Sequence, residues 1–409
     1  MDKGGDRLKA IFVHDHKFII DEKDNFYSYG KLTSQSWKRY LDVFNELSVV
    51  ARARNLNNDD EIQKLSNSNR EGVRFIPLES ISSVKGLIFD RKKIKKELTE
   101  IINETDVIIA RVPSMFGRLA ISIAKDLGKP YAVEVVADAW DELWNYGNVK
   151  GKLFAPISYF STRKSINNAP FAIYVTKNFL QTRYPNRGYS TNASNVELAD
   201  TDERILNRRL EKIKKTNNEI SLGLIGSLSS GYKGIDTAIK ALSEIGDKIN
   251  FKLHILGDGN PARWRKMAVK HGVSDRIIFD GTLPKNDVFQ WLDKVDIYIH
   301  PSRQEGLPRA VIEAMSRGCP VIASTTAGIP ELIKNEYLHK PKNHKKLSKL
   351  LELFTNNKNI LSEQAKINFR EANKYRSKLI EEKRYNFWSE FRKYSQGVID
   401  ERKLNGIGK

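Results

Sequence analysis

The sequence predicts an α/β fold with two doubly wound parallel sheets, on three observations. Short apolar, β-branched runs alternate with longer amphipathic stretches along both halves of the chain. At 409 residues the chain is long enough for two domains that each bury a core. The loops richest in Gly, Pro and Glu fall at the carboxyl ends of the strand-like runs, where such sheets bind ligands.

Taken in order, Leu8–Val13, Leu47–Ala51, Val107–Ala110, Tyr131–Val136 and Phe171–Thr176 read as strands. Ser34–Leu47, Lys92–Ile102 and Met115–Leu127 read as the helices between them. A boundary is expected near Asn192–Glu203, where strand-like Ser194–Leu198 meets an acidic turn and Asp202–Lys215 forms a linker helix. Beyond it, strand Glu219–Ile225 leads through the loop Gly226–Gly234 to a helix near Ile235–Glu244. Strand Phe251–Leu256, the turn Gly257–Asn260 and helix Pro261–His271 follow; Arg276–Phe279, Val295–His300 and Pro320–Ala323 continue the alternation. The charged tail Ser362–Lys403, with spaced aromatics from Phe369 to Tyr394, reads as one or two amphipathic helices. Its irregular apolar spacing argues against long heptads. The expected domains are 1–200, 201–375 and a helical tail, 376–409.

Composition narrows the function classes. Hydrophobic content of 40% and charged content of 29% are ordinary for a globular protein. The single cysteine, Cys319, sits before an apolar run and reads as a small core residue. Met1–Ala10 is polar, and no stretch of about eighteen apolar residues is present, so a cytoplasmic protein without a spanning helix is expected. The formal charge of +19 favours anionic partners without choosing among them. No nucleic-acid-binding module or aromatic-studded basic sheet is evident, so nucleic acid is not expected as a partner. A membrane face and a plain compositional bias toward lysine both account for the charge.

The most informative stretch is PSRQEGLPRAVIEAMSRGCPVIASTTAGIPELI, Pro301–Ile333. After the buried strand the chain turns, and Pro308 suits the first helical position. The N–H groups of Gly306 and Leu307 should lie near the helix N-terminus, where they favour an anion. Gly306 lets a phosphate or sugar approach the backbone. Glu313, about a turn and a half along the helix, is placed to accept two hydrogen bonds from a ribose diol. Together these make a nucleotide-diphosphate site from one loop and one helix; two solvated glutamates on an ordinary strand–loop–helix unit are the plain alternative.

The pattern E-G-L-P-R-A-V-I-E-A-M-x-x-G-x-P-V-I-A-S followed by G-I-P-E-L-I resembles the signature of retaining family 4 glycosyltransferases, which have the GT-B fold. The resemblance extends from about Ser221 to Ile333 and continues more weakly over the N-terminal half. It implies two domains facing a central cleft, with the last helix crossing back onto the N-terminal domain. Glu313 would bind the donor ribose and Glu305 would lie beside the donor sugar. The Gly306 and Leu307 amides would meet the sugar hydroxyls and diphosphate. In the loop GSLSSGYKGID, Gly226–Asp236, three glycines and three serines leave room for a diphosphate, and Lys233 supplies counter-charge. Ser227 stands where the family usually has arginine, so an arginine from elsewhere must help or Lys233 acts nearly alone. Gly257 lets the nucleotide approach or forms a plain turn, and Thr282 and Leu283 fall where the family places the base by backbone contacts.

The acceptor should lie across the cleft, where EVVADAWDELW, Glu134–Trp144, carries Asp138, Asp141 and two tryptophans, Trp140 and Trp144, available to stack on a sugar. Asp138 is the nearest match to a histidine that many relatives carry; a helix cap is its other reading. His14 and His16 follow the first strand and face the same region or solvent. The only D-x-D, Asp200–Asp202, falls in the linker, so no metal site and no cofactor are expected. Lys150, Lys152, Arg163 and Lys164 beside Phe154, Tyr159 and Phe160 suit an anionic lipid surface or a buried aromatic cluster with solvated cations. The expected function is retaining, metal-independent hexosyl transfer from a nucleotide-diphosphate sugar, UDP favoured, to a lipid-linked glycan acceptor of a cell-surface polysaccharide. Alternatives are a non-catalytic nucleotide-sugar-binding partner in an assembly complex, or a sugar-nucleotide 2-epimerase.

Overall fold

The computed structural model describes residues 8–29, 32–57, 65–78, 86–144, 149–200, 202–215 and 219–406. The middle residue of the D-x-D, Thr201, and the side chain of Lys150 lie outside the described residues. In the first half the strands are β1 (Lys9–Ile20), β2 (Phe26–Ser28), β3 (Glu46–Asn55), β4 (Ser66–Asn67), β5 (Val73–Leu78), β6 (Val107–Val112), β7 (Tyr131–Val135), β8 (Phe171–Tyr174) and β9 (Tyr189–Asn192). The helices among them are α1 (Ser34–Leu41), α2 (Gly86–Asn103), α3 (Met115–Asp126), α4 (Ala139–Trp144), α5 (Val149–Asn167) and α6 (Phe179–Arg183). After α7 (Glu203–Lys214) come β10 (Ile220–Ile225), α8 (Ile235–Ile245), β11 (Phe251–Leu256), α9 (Ala262–Lys270), β12 (Ile277–Gly281) and α10 (Lys285–Lys294). The chain closes with β13 (Ile297–His300), α11 (Arg309–Ser316), β14 (Val321–Ser324), β15 (Leu338–His339), α12 (His344–Thr355), α13 (Lys358–Ala372) and α14 (Ser377–Leu404).

Parallel pairing runs β5-β3-β1-β6-β7-β8-β9 in the first sheet, with β2 pairing antiparallel to the last residues of β1 and β4 pairing antiparallel to β2. The second sheet is wholly parallel, in the order β12-β11-β10-β13-β14-β15. Its central strands are apolar on both faces, because helices cover each side: β13 and β14 are buried at every position. The order reverses beside β10 and β13, so the loops after these two strands diverge and leave a crevice.

Three elements differ from the sequence expectation. Strand β1 does not stop at Val13 but continues to Ile20 past a register shift between Val13 and Lys17, pairing Lys17–Ile20 with Arg52–Asn55 of β3. The polar His14–Lys17 segment reads as a loop because side-chain pattern cannot register main-chain pairing. Ser34–Leu47 is not one helix: α1 ends at Leu41, and Leu47 belongs to β3, opposite Ala10. Ser194–Leu198 forms no strand; only Leu198 bridges, to Arg376. Within this segment the Ser194 carbonyl instead accepts from Arg384.

The tail forms two helices, and α14 crosses back to the first sheet. Its Phe387, Trp388 and Phe391 are fully buried. Trp388 packs on Tyr40 at 5.3 Å between ring centroids, and Phe391 on Phe171 at the same distance. Arg384 enters the interior, donating to Glu134 at 3.2 Å and to the Ala193 and Ser194 carbonyls at 3.1 Å. Cys319 is buried beside Arg209, and burial pushes its thiol pKa up, as suits a core residue.

Candidate active site

Lys233 and Glu305 come from the loops after β10 and β13, the two strands that flank the reversal of strand order. The Lys233 Nζ lies 2.8 Å from Glu305 Oε1, and His300 Nε2 reaches the same oxygen at 2.9 Å. Burial alone would raise the Glu305 pKa, but Lys233 and His300 outweigh it and hold the carboxyl well below its ordinary range. The carboxylate accepts, so His300 Nε2 carries a proton; Nδ1 lies 3.3 Å from the Tyr298 hydroxyl. Tyr298 is fully buried, and burial first, with the charges of Glu313 and Glu305 added to it, pushes its hydroxyl pKa well up.

The loops are stitched to one another. Arg303 N–H donates to the Tyr232 carbonyl at 2.7 Å, and the Ser302 hydroxyl reaches that carbonyl at 3.2 Å. The Arg303 guanidinium pairs with Asp236 at the start of α8, so it is committed to the scaffold. Gly226 and Gly257 lie back to back: a Cβ on Gly257 would sit 2.1 Å from the Gly226 carbonyl. Gly257 N–H donates to the Gly281 carbonyl at 2.6 Å, and Thr282 and Leu283 follow exposed at the sheet end. Gly226, Ser227, Gly257, Thr282 and Leu283 therefore line one edge, with Lys233, Glu305, Gly306 and Leu307 beside it.

Pro308 occupies the cap position of α11, one residue before the helical position expected of it. It offers no side-chain acceptor, so no cap bond closes the helix start and its first-turn N–H groups favour an anion. Gly306 marks the contact between the halves: a Cβ there would lie 2.2 Å from the Val136 carbonyl, at the end of β7. Glu331, of the G-I-P-E-L-I segment, reaches the same side and accepts from the N–H groups of Lys177, Asn178 and Phe179 at 2.6, 3.0 and 2.6 Å.

Asp138 is buried. Its carboxylate receives the Tyr184 hydroxyl at 2.6 Å and the Trp140 N–H at 2.8 Å, and it pairs with Arg183. That geometry favours the helix-cap reading over a group facing the donor sugar. Trp140 and Trp144 stack on each other at 5.3 Å rather than standing apart. Burial, and then the charge of Asp138, push the Asp141 pKa up to about 6. Asp202, of the D-x-D, caps α7 by accepting from the Arg204 N–H at 2.8 Å. His300, Tyr298 and Glu331 escaped the sequence reading. The signal for the first was a polar residue closing an otherwise apolar strand.

A family model described as glycosyl transferases group 1 matches residues 208–372. Protein CapJ of Staphylococcus aureus is 38% identical over 371 residues, which is 90% of this chain and 89% of CapJ. The chain belongs to the group 1 glycosyltransferases. The fold is GT-B, shared with solved glycosyltransferase structures. Sucrose-phosphate synthase from Thermosynechococcus elongatus superposes with a TM-score of 0.67 at 14% identity, covering 95% of this chain and 100% of that one. Anabaena HepE in complex with UDP and glucose gives 0.65 at 16% identity, covering 94% and 100%. This glycosyltransferase is related to enzymes of capsule and exopolysaccharide biosynthesis.

Proposed function

We propose that the protein transfers a hexose, with retention, from a nucleotide-diphosphate sugar to a glycan acceptor on a lipid carrier, in the making of a cell-surface polysaccharide. The observation that carries this reading is the buried Glu305, held by Lys233 and His300 beside the uncapped start of α11. UDP is the favoured nucleotide, consistent with the UDP in the HepE complex. The donor diphosphate would lie against the α11 amides, and its charge would draw Lys233 toward it. Preorganised donors of this kind stabilise the leaving group without reorganising during the reaction. Glu313 would hold the ribose diol. The departing phosphate oxygen would take the acceptor proton, and the new bond would form on the face the leaving group vacates. The chemistry needs no metal or cofactor in this reading.

The test is release of nucleoside diphosphate from a panel of UDP- and GDP-sugars, with and without lipid-linked acceptor extract, in wild type and Glu305→Gln. Acceptor-dependent release that is lost in the variant is the expected result. Donor binding without release under any acceptor would replace the transferase with a binding module.

The same reading places the enzyme against an anionic membrane through α5. Leu153 is 70% exposed, Ile157 64% and Phe160 66%, all on one helical face, with Phe154 beside them and exposed Lys152 and Lys164 at its ends. Tyr159 turns inward to Trp140 and Tyr184. Arg163 donates to Tyr159 and the Arg183 carbonyl, so the lipid-facing charge falls to the lysines. No described helix is long and apolar enough to cross a membrane. Leu153→Ser with Phe160→Ser should abolish sedimentation with anionic vesicles while leaving thermal stability unchanged; undiminished sedimentation would remove α5 from the interface.

A further inference from the structure

A cluster of cations at the register shift within β1, beside β3 and the end of β6, has no task in the scheme above. Val13 of β1 pairs with Ala110 of β6, so His14 and Arg111 follow side by side. Arg52 reaches over from β3, its Nε donating to the Asp15 carbonyl at 2.8 Å. Lys17, exposed, stands three residues beyond His14 on the same strand. His14 lies at the centre. Burial, then Arg111, His16 and Arg52, hold its imidazole well below its ordinary pKa, against the smaller, opposite influence of the Arg111 backbone. Its Nδ1 is buried without a hydrogen-bond partner among the described residues, and so is Arg111 Nε, with Glu134 Oε2 3.7 Å away.

The two neighbouring carboxylates are each shared among several donors, Glu134 with Arg111 itself. Asp15 accepts from the Met115 and Phe116 N–H groups at 2.6 and 2.9 Å, closing the start of α3. Glu134 accepts from Tyr40 at 2.8 Å and from Arg384 at 3.2 Å, and Arg39 and Arg111 also bear on it. Positive charge is therefore in surplus beside His14 Nδ1, a buried nitrogen without a hydrogen-bond partner. The cluster also faces the reaction: β7, whose end touches Gly306, is two strands from β1. At about 4.8 Å per strand, that is about 10 Å from the donor loop, the reach of an acceptor sugar and its linkage.

We infer that His14, Arg52, Arg111 and Lys17 receive an anionic group on the acceptor, a phosphate or a carboxylate, set back from the attacking hydroxyl. Guanidinium groups match either anion with paired N–H donors. An anion beside His14 supplies the negative charge its surroundings lack, so the ring takes up a proton and Nδ1 becomes a donor. The inference rests on the transferase reading only in taking the anion to be part of the acceptor; anion binding itself requires no turnover.

The test is titration of the full chain, histidine-labelled for NMR, with glucose 1-phosphate, glucuronate and glucose, the His14 signals being assigned from His14→Gln. Both anionic probes should move the His14 ring resonances toward the imidazolium, and glucose should not. Arg52→Gln should weaken the anionic probes about tenfold. Lys17→Gln, remote from the Asp15 contact, should weaken them less with an unchanged Tm. A stronger response to phosphate would point to a carrier diphosphate, and a stronger response to carboxylate to a uronic acid unit. Unmoved His14 signals, or an equal response to glucose, would overturn the inference. Loss of the transferase reading would appear separately, as absent nucleoside diphosphate release with anion binding intact.

Discussion

At the scale of single residues, Glu305 concentrates the electrostatics of the site. Its carboxylate is only 10% exposed, and Lys233 beside it 19%. Glu305→Gln keeps the shape and removes the charge, leaving Lys233 without a counter-charge. The variant should lose about 100-fold or more in kcat and about 1–3 kcal/mol of stability at neutral pH. The folded pKa lies below the ordinary 4.5, so this carboxylate stabilises the fold above about pH 4.5, and that contribution is lost as pH falls below it. Melting curves between pH 3 and 7 should therefore converge for the two proteins at the acid end. Asp141 has the opposite sign. Its pKa rises from 3.8 to about 6, so ionisation opposes folding as pH climbs through that window, and the penalty is complete above about 6. Asp141→Asn should raise Tm at pH 8 and leave it unchanged at pH 4; an equal rise at both would refute the shift.

At the scale of elements, the two halves meet through backbone rather than through long side chains. The Glu331 carboxylate, on the segment after β14, holds three N–H groups at the start of α6 on the opposite half. Glu331→Ala should cost about 0.5–2 kcal/mol, as the loss of a helix cap does. Because those N–H groups lie across the cleft, it should also raise the donor KM more than it lowers kcat. A drop in kcat alone, with KM and Tm unchanged, would contradict this role. The motif G-I-P-E-L-I was legible as part of a family signature, but its task was not. A carboxylate binding main-chain groups 153 residues away leaves no trace in local spacing.

At the scale of the molecule, α14 closes the N-terminal sheet. It brings Arg384 into contact with Glu134 and buries Phe387, Trp388 and Phe391 against Tyr40, Phe44 and Phe171. Arg384→Leu leaves Glu134 and its neighbouring arginines unbalanced and should destabilise by about 3–5 kcal/mol. Removal of residues 377–409 should expose the aromatic face and give a chain that binds apolar dyes; a folded, soluble truncation would show that the helix is dispensable.

The sequence by itself determined the architecture and the donor motif. Strand–helix alternation and the Glu305-to-Glu313 spacing are local patterns set by main-chain periodicity, and they survive without knowledge of contacts. Only the tertiary structure decided how the side chains are used. It turned Asp138 into a buried partner of Arg183 and Tyr184, placed His300 on Glu305, and carried β1 onward to set His14 beside Arg111 and Arg52. The physical reason is that the charge state and reach of a polar group depend on which distant groups share its burial, and strand order sets that partnership rather than spacing along the chain.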